Sequence, residues 1–364
     1  MAGWLVRTAL RSSLNQVRHV RPVPPRRATG LTAAVYRQVE RDFGMLAPPV
    51  ALHSPSPAVL AAAWSMLREA LVTTTPVRRA VKEAVATGVS RANSCPYCVE
   101  VHSAVLGTLP VEHATAAVTE WASGGGSRAG TTTDSVGRAG RVLTAPRPFP
   151  DRDAAELIAV AVTFHYLNRV VNVFLGDSPL PPGVPAAARE RAGRFVGRVM
   201  RAPALRGGEA SASATLLPAA PLPADLAWAA GEEHLAAAFA RAASAVDTAI
   251  DTGIDSAVPA SVRDLVVAEL ADWDGEPPGM SRAWLDGPVS SVPSQDRPAA
   301  RLALLVAKAS YQVEDDVVAA YRRDRPADAA LVELVSWAAL VAARRAGVRL
   351  AGDGTGRPGL GEVG

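Results

Sequence analysis

Cysteine is nearly absent from this chain of 364 residues: there are two, Cys95 and Cys98. That excludes a disulfide framework of the kind that staples small secreted domains. Aromatic residues make up only 5% of the chain, and the formal charge of +3 is small for the length. With no Lys/Arg patch interleaved with aromatics, no nucleic-acid partner is expected. The N-terminus lacks the apolar core of about 7–15 residues and the cleavage site of a secretory signal. No uninterrupted apolar run approaches the ~20 residues of a spanning helix, so no stable membrane insertion is expected. Gly-x-Ser-x-Gly and His-Glu-x-x-His are missing, and Gly124-Gly-Gly126 reads as linker rather than as a phosphate-binding loop. These absences point to a cytoplasmic protein in a reducing compartment. There a Cys-x-x-Cys is more often catalytic or metal-binding than structural.

Alanine, valine and leucine dominate what is present, and long stretches lack glycine and proline. An all-α fold is expected. Residues 1–41 carry eight arginines against a single acid, Glu40. Trp4, Leu10, Leu14 and Val17 fall at helical spacing with Arg7, Arg11 and Arg18 on another face, a basic helix that packs on its own domain or lies on an anionic membrane. Helices are expected over 31–43, from Ser56-Pro57 to Val72, and from Thr75-Pro76 through Val77, Val81, Val85 and Val89. Asn93 or Ser94 is expected to cap a helix that carries the cysteines to about Leu106. Further helices are expected at 111–121, 153–175, 186–200, 226–251, 260–272, 297–323 and 328–349.

The length exceeds the usual size of one hydrophobic core. Expected are a basic N-terminal segment with a Pro-rich linker (1–30) and a helical domain at 31–202 with a flexible loop near 123–152. A linker at 203–224, a second helical repeat at 225–350 and a disordered tail at 351–364 follow. Setting Asp153–Leu175 on Asp328–Leu350 without gaps gives 7 identities in 23, with Arg169 on Arg344. The cysteine helix pair would then correspond to 297–323, which holds neither cysteine nor histidine. The second copy would lack the chemistry.

The chemistry-bearing stretch is Cys95-Pro-Tyr-Cys98 with His102 four residues further on. Two thiols at this spacing can form a disulfide, bind a metal, or stay buried and inert. At a helix N-terminus, unpaired N–H groups and the dipole favour a thiolate. His102, one turn beyond Cys98 on the same face, can take the thiol proton. Glu83 lies on the preceding helix, where it is either a surface acid paired with Arg79 or a carboxylate that orients the histidine. Zinc would need a fourth ligand beside Cys95, Cys98 and His102, from Glu83 or His53. His165 and Arg169 read as polar positions of a core helix, or as a lining opposite the cysteines.

Glu83, Cys95, Cys98 and His102 follow the pattern E-(x)11-C-x-x-C-x-x-x-H. In this the chain resembles the AhpD-like alkylhydroperoxidases of the carboxymuconolactone decarboxylase superfamily, most firmly over about residues 31–106. The resemblance implies a thiol–disulfide oxidoreductase that needs no cofactor or metal. It would reduce a hydroperoxide, or relay electrons to a peroxiredoxin partner, and would form a homo-oligomer. Cys98 would be the attacking thiolate, Cys95 the resolving thiol, and Glu83 and His102 the proton relay. A dithiol donor of dihydrolipoyl type would restore the thiols by exchange. Two departures stand out: Tyr97 replaces a second histidine of the best-known member, and the chain is about twice the length of a minimal one.

Cys-Pro-Tyr-Cys also occurs in glutaredoxins, but there it follows a β-strand, whereas here the preceding residues have helical period. Lactone decarboxylation, the superfamily's other activity, generally belongs to members without the Cys-x-x-Cys. A non-enzymatic module with a zinc-bound or redox-inert motif is the third reading.

Overall fold

The computed structural model describes residues 13–110, 112–125, 147–180, 184, 186–251 and 257–352. Its principal helices are α1 (Gly30–Phe43), α2 (Pro57–Leu67), α3 (Arg79–Ala92), α4 (Pro96–Leu106) and α5 (Thr115–Glu120). They continue as α6 (Ala154–Phe174), α7 (Ala186–Arg206), α8 (Glu233–Asp251), α9 (Ala260–Ala271), α10 (Arg297–Ala309), α11 (Asp315–Asp324) and α12 (Asp328–Ala351). Among the described residues there is no strand, only a single bridge between Thr73 and Gly208. The fold is all-α, as the composition and the 3.6-residue period imply.

One hydrophobic core runs through both halves of the chain. Its spine is α6, apolar on nearly every face and therefore buried all round. This helix is long and apolar enough to cross a membrane, but 89% of its most apolar stretch is buried within the protein. It packs along α12, the helix that the sequence alignment sets against it, while α2 packs on α8. The four helices join the halves.

Buried charge fastens the remaining segments. Arg68 bonds Asp42 and Glu69, each at 2.8 Å. Glu69 accepts from Ser211 N, Ser213 N and Ser213 Oγ, at 3.0, 3.2 and 2.6 Å. Residues 203–224 are thereby docked on the first half, with α7 extending into them as far as Arg206. Lys82, also buried, pairs with Glu156 at 3.2 Å and joins α3 to α6.

Several boundaries differ from those expected. The stretch 297–323 is two helices, because the chain turns at Ser310–Gln312 before Asp315 and Asp316 open α11. Acids in a first turn favour a new N-terminus there. Of the basic N-terminal helix, residues 1–12 lie outside the described residues. Leu14 and Val17 pack against the core, and Arg18 bonds Leu175 O at 2.9 Å. Of the Gly-rich loop, 126–146 lie outside the described residues, whereas Phe149 meets Trp121 edge-on at 4.8 Å. The tail from 353 onward is likewise outside.

Gly88 shows how closely α3 approaches its neighbour. A Cβ there would lie 2.4 Å from Thr119 O, a backbone atom that cannot swing aside. Gly88→Val is expected to destabilise the protein by about 1–3 kcal/mol through overpacking. Urea unfolding followed by circular dichroism measures it, and a midpoint equal to the parent's would refute the close contact.

Candidate functional site

The α3–α4 turn places the cysteines. Ser94 adopts φ 49°, the left-handed region that a non-glycine residue enters only at a cost. The reversal is closed by Cys95 N donating to Ser90 O at 3.0 Å. Cys95 rather than Asn93 or Ser94 is the N-cap residue of α4, and Pro96 takes the first helical position. Asn93 serves the other helix instead. Its side-chain N–H reaches Val89 O at 3.0 Å, and its own carbonyl accepts from Asn172 of α6 at 3.1 Å. The expected cap is thus a cap for the end of α3, because its amide can satisfy that helix's last carbonyls.

Glu83 has no solvent exposure and is divided between two partners. Arg79, one turn back, meets Oε1 at 2.7 Å, and His102 Nδ1 meets Oε2 at 2.7 Å. The expected pairing with Arg79 is present, but on a fully buried carboxylate and not on a surface acid, and the same group also bonds the histidine. Burial alone would raise its pKa, but the charges of Arg79 and His102 outweigh that and hold the carboxyl below its usual range. Phe164 of α6 stands edge-on to the imidazole at 4.5 Å.

Cys95 and Cys98 are both free thiols and both buried. A hydrogen bond with Cys95 and then burial push the Cys98 thiol well above its ordinary value, while a hydrogen bond from Asn168 draws it down. This runs against the thiolate expected from a helix N-terminus with a neighbouring histidine. The physical reason is that the hydrogen bond with Cys95 and the loss of water around the sulfur both favour the neutral thiol of Cys98.

A cavity of about 320 Å³ opens onto Cys98 and His102 but not onto Cys95. Its wall includes Phe43, Met45, Val101, Phe164, Leu167 and Met200, with half-exposed Phe195 also on it. Gln16, Tyr97, Cys98 and His102 are the polar lining residues. Burial pushes the Tyr97 hydroxyl up, so it stays a neutral phenol in that wall.

The remaining candidates lie apart from the cavity. His53 is buried, with Val50 O and Tyr166 Oη on its two ring nitrogens at 3.1 and 2.8 Å. Burial lowers its pKa to about 4. His165 and Arg169 face a second, smaller cavity with Trp121, Trp273 and Arg349. Among the described residues no group of three or more His, Cys, Asp and Glu is arranged to hold a metal ion. Asn168 and Phe164 escaped the sequence reasoning. The only signal for Asn168 is a polar side chain amid the apolar run of α6.

An all-helical chain that brings this carboxylate and imidazole to a Cys-x-x-Cys helix defines a class, the AhpD-like alkylhydroperoxidases, and the chain belongs to that family. It is similar to the alkyl hydroperoxide reductase Rv2159c of Mycobacterium tuberculosis, at 37% identity over 348 residues. The alignment covers 91% of this chain and 94% of that protein, so the kinship extends well beyond residues 31–106. No protein-family profile matches the chain, and no solved structure matches it.

The lowered carboxyl of Glu83 has a consequence for stability. A carboxylate whose folded pKa is depressed stabilises the fold above its unfolded value of 4.5, and this is lost as pH falls through the folded value. Glu83→Gln is expected to cost about 3–5 kcal/mol at pH 7, since Arg79 loses its buried partner. The difference from the parent should shrink below pH 4.5. A gap that stays constant from pH 7 to pH 3 in urea titrations would refute the charge pairing.

Proposed function

We propose that the protein reduces organic hydroperoxides through a two-thiol cycle, with Cys98 as nucleophile. The observation that carries this reading is that Cys98 and His102 share an apolar cavity from which Cys95 is withdrawn. In the first step His102 Nε2 takes the Cys98 proton, and the imidazolium so formed is stabilised by Glu83 at Nδ1. The thiolate attacks the terminal peroxide oxygen. An S–O bond forms, the O–O bond breaks, and His102 returns the proton to the leaving alkoxide, which departs as an alcohol. Cys95 then displaces water from the Cys98 sulfenic acid and closes a disulfide.

A dithiol donor of dihydrolipoyl type restores both thiols by exchange. The same redox pair can pass electrons to a peroxiredoxin, and an assay with and without such a partner separates the two routes. The apolar wall favours a carbon-rich peroxide over hydrogen peroxide, because it removes apolar surface from water. A cytoplasmic location, where dithiols are kept reduced, fits the cycle. The second half, packed on the first through α6 and α12, would act as a built-in structural partner without chemistry of its own.

Peroxide treatment should remove both free thiols, and a dithiol should return them. Cys98→Ser should abolish sulfenic acid labelling by dimedone, and Cys95→Ser should let the label accumulate at Cys98. The reverse pattern would make Cys95 the nucleophile. Stoichiometric zinc with unreactive thiols would sink the redox reading altogether. In a second measurement, kcat/KM for cumene hydroperoxide should exceed that for hydrogen peroxide by about tenfold or more, the scale of discrimination by an apolar pocket. Equal values would remove the cavity from the account.

A further inference from the structure

Arg169 is a buried guanidinium, 5% exposed, that meets no carboxylate among the described residues. Burial lowers its pKa to about 10, so it stays charged at neutral pH. Its aligned counterpart Arg344 is bidentate to Asp225 at 2.6 and 2.7 Å. A buried charge left without a counter-ion is destabilising. What Arg169 does touch is neutral. Nε donates to Ala307 O at 3.0 Å, and Nη1 lies 3.0, 2.7 and 3.3 Å from Asn93 Oδ1, His165 O and His165 Nδ1. The guanidinium also stands over the Trp273 ring, with Cζ 5.7 Å from its centroid. Nη2 bonds none of the described residues.

The second cavity, of about 130 Å³, opens at this guanidinium, and Arg169, His165, Arg349, Trp121 and Trp273 all line it. Arginine can only donate, so His165 Nδ1 accepts, and Asn93 Nδ2 donates to the same nitrogen at 3.1 Å. Burial, and then the charges of Arg169 and Arg349, push the pKa of His165 well below its usual value and keep the ring neutral. Its proton therefore sits on Nε2, a donor with no partner among the described residues. Trp273 gives its own N–H to Glu276 O at 2.8 Å, so its ring offers apolar surface. The acid on the wall is Glu276, which is exposed and screened by water. The cavity thus presents positive charge and free donors beside aromatic rings. An apolar cavity of about 150 Å³ admits a benzene ring, so the room here suits a guest of that order.

We propose that this cavity binds a small organic carboxylate, with its oxygens on Arg169 Nη2 and His165 Nε2 and its apolar body against Trp121 and Trp273. Arg349 adds a second positive charge at the same wall. The bound anion supplies the counter-ion that Arg169 lacks and that Arg344 has in Asp225. The site lies apart from the cavity shared by Cys98 and His102, and it is independent of the peroxidase reading.

The test is calorimetric titration of the full chain with benzoate, with benzamide and inorganic phosphate as controls. Benzoate is expected to bind at one site per chain. Benzamide has the same shape without the charge and should bind at least about tenfold more weakly, as should benzoate to Arg169→Gln, since a hydrogen bond to a charged group is lost in each case. No saturation at about 10 mM benzoate would overturn the proposal. So would equal affinities for benzoate and benzamide, or an unchanged affinity in Arg169→Gln. Phosphate binding as tightly as benzoate would overturn the assignment to an organic acid. If circular dichroism shows Arg169→Gln unfolded, Arg349→Gln decides in its place, and parent-like benzoate binding there would overturn the site.

Discussion

Burying a carboxylate costs several kcal/mol unless its charge is matched and its lone pairs are filled, and at Glu83 both conditions are met. Arg79 takes one oxygen and His102 the other, so α3 and α4 are joined at a fully desolvated point. The pairing ties the imidazole to a fixed carboxylate at Nδ1, and His102 lines the same cavity as Cys98, the arrangement that the proposed proton transfers would use. Without Glu83 the histidine would keep its place in the sequence but not its tautomer or its aim.

Around that point α6 does most of the positioning. Successive residues of a helix point about 100° apart, so one short stretch serves several neighbours. Phe164 braces His102, His165 and Arg169 turn to the second cavity, Tyr166 engages His53, and Asn168 bonds Asn93 and Ser90 of α3 and its turn. The same helix is the spine of the core and packs along α12. Position and stability therefore come from one element. The thiols stand where a strained turn, a helix N-terminus and this buried spine meet.

Much of this was legible in the chain. The helical class followed from composition and period. The four-residue pattern of Glu83, Cys95, Cys98 and His102 identified the family because its spacing reflects local helix geometry: twelve residues span a turn between helices, and four span one helical turn. Arg79 one turn before Glu83 was readable by the same rule. Asn93 was placed near the turn correctly but given to the wrong helix. Its partners Asn168, Arg169 and Asn172 lie more than seventy positions away and leave no local trace. The break at Ser310 was missed because apolar period continues on both sides of it.

The sequence by itself determined which residue types could do chemistry, and that they sit within a turn or two of one another on helices. Tertiary packing decided which atoms meet. It withdrew Cys95 from the cavity that Cys98 faces, set Phe164 against His102, and bonded Asn168 to Asn93 and Ser90. It placed His165 and Arg169 on the far side of the Asn93 turn, and raised the Cys98 thiol where a helix terminus alone would lower it. Spacing along one helix is a property of the backbone, whereas desolvation and contacts between distant helices exist only once the core has closed around them.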